Sequence, residues 1–115
     1  MLHGRGMEHN VHRMGRAVSH LTALTTLQCS YIELTDSDLC PLTRLNTLEF
    51  AYVSGITNGG LKRLTGLTSL GLGHGTSITD EALLCLSSLT SLDLSGDRNI
   101  TPHCVSRLTT LTELR

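Results

Sequence analysis

Short apolar stripes alternate with short polar breaks along the whole chain, and leucine marks the stripes. The pattern Leu-x-x-Leu-x-x-Leu occurs five times, at Leu21-Leu24-Leu27, Leu42-Leu45-Leu48, Leu64-Leu67-Leu70, Leu86-Leu89-Leu92 and Leu108-Leu111-Leu114. The last four copies start 22 residues apart, and the first precedes them by 21. A second set keeps the same step: Leu34-Thr35, Ile56-Thr57, Ile78-Thr79 and Ile100-Thr101. A period of this length marks stacked supersecondary units, each burying its apolar side only against its neighbours.

One unit, residues 86–107, reads LSSLTSLDLSGDRNITPHCVSR. Leu92 and Leu94 alternate with Ser91, Asp93 and Ser95, a period of two that predicts a short strand with one buried face. The turn-forming SGDRN follows, and Thr101-Pro102 then supplies a favourable N-cap and a proline at the first helical position. Val105 and Leu108 sit at helical spacing, so the unit reads as strand, turn and a helix of one to two turns. Thr35, Thr57, Thr79 and Thr101 share the N-cap column. Acids follow at Asp36, Asp38, Asp80 and Glu81, and bases further on at Arg44, Lys62, Arg63 and Arg107, the order a helix dipole favours. Pro41 closes the first helix. In this register Leu48, Phe50, Leu70, Leu72, Leu92 and Leu94 point inward, while Glu49, Gly71 and Asp93 face solvent.

Residues 18–115 are expected to form one domain of about four and a half units. Val18-Ser19-His20-Leu21 matches Val105-Ser106-Arg107-Leu108, whereas Gly, Arg and His dominate upstream of Met14. Residues 1–17 therefore read as a degenerate cap or a disordered tail. The sequence stops at Leu114-Arg115, midway through an expected strand, where a capped array would end in a polar outer face. The expectation is a truncated array whose uncapped last unit is open to end-to-end association.

The segments LTSLDLSGDRNITPHCV and LTSLGLGHGTSITDEAL resemble leucine-rich repeats, and the resemblance covers residues 18–115. It implies an α/β fold, a right-handed leucine-rich-repeat solenoid with short parallel β-strands on the concave face and short helices on the convex face. It also implies a non-catalytic protein-protein interaction module that contacts its partner through the concave strand face and its rim. Within the family, the string Ile78-Thr79-Asp80-Glu81-Ala82-Leu83 is similar to the cysteine-containing repeats found behind an F-box. That similarity implies an alternative, the substrate-recognition part of an SCF-type ubiquitin ligase receptor. The subfamily carries a Cys three positions before the Ile, where this chain has Asp97, Gly75 and Val53, with Ile32 in the shortened first unit. The Asn or Cys ladder that bonds the turn backbone in typical members is thus not retained. A truncated repeat fragment without independent function is a third reading.

Composition narrows the classes. A net charge of −1 and a pI near 6.6 give no basic footprint for nucleic acid. Aromatic residues are only 3% of the chain, so the core must be aliphatic. No apolar run approaches the length of a membrane span or the core of a signal peptide. Cys29, Cys40, Cys85 and Cys104 form no CxxC pair, and Cys29 stands at a core Leu position, so a reduced, cytoplasmic setting is expected. His9 and His12 lack partners at metal-site spacing. His103 and Cys104 are neighbours that point apart on a helix. Gly71, Gly73 and Gly75 alternate along a strand instead of cradling phosphate at a helix start. No catalytic residue, metal or cofactor is expected.

The candidate contact residues are the outward columns. One runs Thr26, Thr47, Ser69, Ser91, Glu113, the next Gln28, Glu49, Gly71, Asp93, Arg115, and a third Ser30, Ala51, Gly73, Ser95. Tyr31, Tyr52 and His74 form a further column just after successive strands, followed by Gly96. Tyrosine is enriched at interface hot spots; the alternative is a set of rings shielding the strand exits beside a merely solvated sheet face. Five strands at ~4.8 Å spacing, each exposing some 10–13 Å, make a strip on the order of 200–250 Å². A standard stable interface buries about 800 Å² per partner.

Overall fold

The computed structural model describes residues 2–3, 18–96 and 99–115. Strands β1 (Leu2–His3), β2 (Thr26–Ser30), β3 (Thr47–Ala51), β4 (Ser69–Leu72), β5 (Ser91–Asp93) and β6 (Glu113–Leu114) form one sheet in sequence order. All its pairings are parallel. Between them lie four short helices, α1 (Asp36–Leu39), α2 (Asn58–Leu61), α3 (Asp80–Leu83) and α4 (Pro102–Arg107). The register follows the sequence period: Leu27 pairs with Leu48, Leu48 with Leu70, Leu70 with Leu92 and Leu92 with Leu114. Equivalent positions therefore stack, and inward leucine meets inward leucine from strand to strand.

The core lies between sheet and helices. Leu48, Phe50, Leu70, Leu72 and Leu92 are all buried, as the period of two requires. The helices contribute Leu39, Leu61, Leu83 and Cys104. Leu94 departs from expectation and is only half buried, packed against the edge of the core. It lies just beyond β5, and among the described residues no further inward side chain stacks on its far side. The N-terminal stretch is the one expected to be a degenerate cap or a disordered tail. Leu2 and His3 pair in parallel with Leu27 and Gln28, adding a strand to the sheet. Residues 1 and 4–17, with His9 and His12, lie outside the described residues.

The first three helices are single turns of four residues, and α4 has six. Each is preceded by its threonine in extended conformation, the N-cap geometry that the sequence column predicts. The basic residues do not close the helices as expected. Helices α1, α2 and α3 end at Leu39, Leu61 and Leu83, and only Arg107 lies in a last helical turn. Lys62 instead reaches across to Glu81 at 3.7 Å, an exposed pair.

Successive turns are joined by a ladder at the helix starts. Asp36, the first residue of α1, accepts the backbone N–H of Thr57 at 2.8 Å and its hydroxyl at 2.6 Å. Asn58 does the equivalent for Thr79: its Oδ1 accepts the backbone N–H at 2.9 Å and its Nδ2 donates to the hydroxyl at 2.7 Å. Asp80 accepts from the Thr101 backbone at 2.9 Å and from its hydroxyl at 2.7 Å. At the near end Thr35 turns to its own helix, donating from backbone and hydroxyl to Asp38. At the far end Pro102 occupies the ladder position and Thr101 also accepts from the Cys104 backbone. The turn-backbone ladder missing three positions before the isoleucines thus has a counterpart after the threonines. A second series ties the strand entries: the hydroxyls of Thr68, Thr90 and Thr112 donate to the carbonyls of Asn46, Thr68 and Thr90. No helix among the described residues is long and apolar enough to cross a membrane.

Candidate functional site

Parallel strands in register place every second side chain on the face away from the helices. That face carries a groove of about 470 Å³ running across β2, β3, β4 and β5. Its lining brings together the sequence-predicted Gln28, Glu49, Gly71 and Asp93 with the neighbouring column Ser30, Ala51, Gly73 and Ser95. The remaining predicted column, Thr26, Thr47, Ser69 and Ser91, lies half buried at the strand entries, outside the groove lining. Ser91 donates to Glu113 at 2.9 Å and Thr47 to Asn46 at 3.0 Å.

Within the groove Glu49 is exposed and accepts a long hydrogen bond, 3.3 Å, from the Gln28 amide. Gly71, expected to face solvent, is buried. Having no side chain, it leaves a slot that the Glu49 stem fills: a Cβ on Gly71 would stand 2.9 Å from Glu49 Cγ. The position does lie in the outward column, but its surface belongs to its neighbour. Asp93 accepts both the hydroxyl and the backbone N–H of Ser95. Those bonds hold its carboxyl below the usual carboxylate range, the hydroxyl bond contributing most. Asp93 therefore carries negative charge at neutral pH.

The strand exits form one wall of the groove. Ser30, Ala51 and Gly73 are each followed directly by a ring residue: Tyr31, Tyr52 and His74. The rings of Tyr31 and Tyr52 stack with centroids 4.4 Å apart at an interplanar angle of 11°, and His74 continues the stack 6.1 Å from Tyr52 at 29°. Tyr31 is 62% exposed and Tyr52 45%. Loss of water against its neighbour, then the Tyr52 phenol, push the Tyr31 phenol above its ordinary value. Both tyrosines occupy the left-handed backbone region, at φ 58° and 57°. After β4 the left-handed residue is Gly75, one place after His74, at φ 73°. The ring column is continuous, but its backbone support shifts by one residue. A Cβ on Gly75 would meet Tyr52 Cδ1 at 2.9 Å, so the glycine makes room for the ring above it.

Cys29 and Cys104 are held as buried thiols. Cys29 is a core residue under the sheet, and burial pushes its thiol up to about 12. Cys104 is buried on α4, and burial, reinforced by the Asp80 carboxylate, raises it to about 11. Thiols held protonated in this way are poor nucleophiles. Cys40 and Cys85 are exposed. Among the described residues no group of three or more His, Cys, Asp or Glu could hold a metal ion.

Sequence reasoning singled out Asp36 and Asp80 as dipole partners and did not find their role as bridges between turns, nor Asn58 at all. The signal was present, since an Asx residue follows three of the four column threonines. Fold and site together define a small α/β protein with an all-parallel sheet alternating with short helices, and an open groove on the sheet's free face. Comparison of the chain with protein-family models and with curated proteins found no match to either.

Proposed function

We propose that the chain is a leucine-rich-repeat solenoid and acts as a non-catalytic protein-binding module, contacting its partner through the free sheet face and the Tyr31–Tyr52–His74 rim. The observation that carries this reading is the groove itself. A concavity of about 470 Å³ is lined at the strand exits by Ser30, Ala51 and Gly73, and the residue directly after each contributes to an exposed three-ring stack. The register of strand pairs at one sequence period per step supports the solenoid reading. The groove-facing carboxylates and serines suit polar recognition, while the buried thiols are core groups.

The test is affinity capture with the wild-type chain and with a folded Tyr52→Ala variant, followed by titration of whatever protein the wild type retains. Removing an anchoring ring should weaken that partner by about 1–2 kcal/mol. An unchanged affinity, with the variant's far-ultraviolet circular dichroism intact, returns the rings to a purely structural part.

A further inference from the structure

We infer that the groove takes a basic segment of another protein in polyproline-II conformation, with two cationic side chains three residues apart set against Glu49 and Asp93. This rests on the reading of the groove as a protein-binding face and specifies its occupant.

Charge is the first ground. The groove lining holds two carboxylates and no cation. Among the described residues neither Glu49 nor Asp93 forms an ion pair; Lys62 is engaged with Glu81 and Arg115 with Glu113. Both acids thus present their carboxylates to one groove, Arg115 acting on Asp93 only from outside its lining, in a chain whose overall charge is nearly balanced.

Register is the second. Glu49 pairs with Gly71 and Gly71 with Asp93, so the two acids stand two strand spacings apart, roughly 9.6 Å. Gly71 between them contributes no side chain. A peptide laid across the strands as a polyproline-II helix advances roughly 9.3 Å in three residues and returns its side chain to the same face. Cationic side chains at that interval meet both carboxylates at once, whereas adjacent ones cannot.

Size is the third. The strip of about 200–250 Å² falls well short of the ~800 Å² per partner of two folded proteins in stable contact. Its ~19 Å breadth matches about six residues in that conformation. The occupant is therefore a short linear segment. The rim argues in the same direction. Tyr31 and Tyr52 cover each other's faces at 4.4 Å and 11°, which leaves no open slot between them for a sugar or a base. The exposed parts of Tyr31 and Tyr52 flank a passing backbone.

The experiment is fluorescence anisotropy with the full 115-residue chain. The probe is a fluorescein-labelled octapeptide of Gly, Ser and Pro with arginines at its third and sixth positions. Two further peptides carry citrulline at those positions, or the two arginines side by side. A linear gluco-oligosaccharide serves as an unlabelled competitor. The spaced arginine peptide should bind about ten-fold more tightly than either control, with the advantage shrinking as salt rises. A Glu49→Gln/Asp93→Asn double variant, its fold verified by circular dichroism, should remove the difference. Equal binding of the arginine and citrulline peptides, weakened alike by Tyr52→Ala, would overturn the inference while leaving the groove a peptide site. Absence of binding by every peptide also overturns it. Binding of the oligosaccharide in their place would overturn both the inference and the protein-binding reading beneath it.

Discussion

Tyr31 and Tyr52 show what a single residue contributes here and at what cost. A non-glycine residue in the left-handed region gives up about 1–2 kcal/mol through the crowding of Cβ against the carbonyl. An offset or parallel ring pair returns about 0.5–1.5 kcal/mol beyond its buried area. The two quantities are comparable, so the stack offsets the backbone strain that brings the rings together. Separate substitutions divide these terms. Tyr52→Ala loses the stack and keeps the strain, while Tyr52→Gly loses both. In urea unfolding the glycine variant should be the more stable of the two by about 1 kcal/mol. Equal midpoints would mean that the backbone leaves the left-handed region once the ring is gone. Asn58 offers a second residue-scale comparison, because it stands where the neighbouring turns use Asp36 and Asp80. Asn58→Asp should keep the bridge, with the Thr79 hydroxyl now donating. Asn58→Ala should cost about 1–2 kcal/mol by leaving the Thr79 groups without their partner.

At the scale of the element, the helices are too short to persist on their own, since a single turn lies far below the length at which isolated helices form. Their positions come from neighbours: an inward leucine from below and the Asx–Thr bridge from the side. That bridge gives the fold an acid-sensitive component. The Thr101 hydroxyl, then its backbone N–H, hold the Asp80 carboxyl below its ordinary value of 3.8. A group whose pKa is depressed by folding binds protons more readily when unfolded, so its contribution is present above 3.8 and is lost as pH falls through the lower folded value. Asp80→Asn keeps the two-point geometry seen at Asn58 and removes this titration. Its unfolding midpoint should therefore fall less steeply than the wild type's below pH 4. An acid limb of unchanged slope would show that the bridge to Thr101 does not form in solution.

For the whole molecule, the consequence of in-register stacking is that contacts run from each strand–helix pair to the next, and the two faces of the sheet acquire separate roles. The helix side carries the core, and the free side carries the groove. The outer edge of β6 bears no strand among the described residues, and Leu114 beside it is 52% exposed. An open parallel edge with an apolar side chain is a template for pairing with another chain. The 115-residue chain should accordingly show an apparent mass in light scattering that rises with concentration. Leu114→Glu should lower that rise by placing charge at the edge. A mass independent of concentration in the wild type would show the edge to be blunted in solution.

Two local periods made most of the architecture legible without coordinates. Alternation along each strand assigned inside and outside, and the step of 21 or 22 residues placed Leu48, Leu70 and Leu92 opposite one another. The first follows from a residue's own chain neighbours and the second from the recurrence of one unit, which is why sequence alone determined them. The remainder depended on distances between turns. Gly71 is buried because Glu49, 22 residues back along the chain, lies across it. Asp36, Asn58 and Asp80 reach the following turn only because stacking brings Thr57, Thr79 and Thr101 within hydrogen-bonding range. The exposed column of threonines, serines and carboxylates could be written down from the sequence, but which of its members share a groove could not. That choice falls to the packing of neighbouring strands, since a groove is a property of the surface they build together.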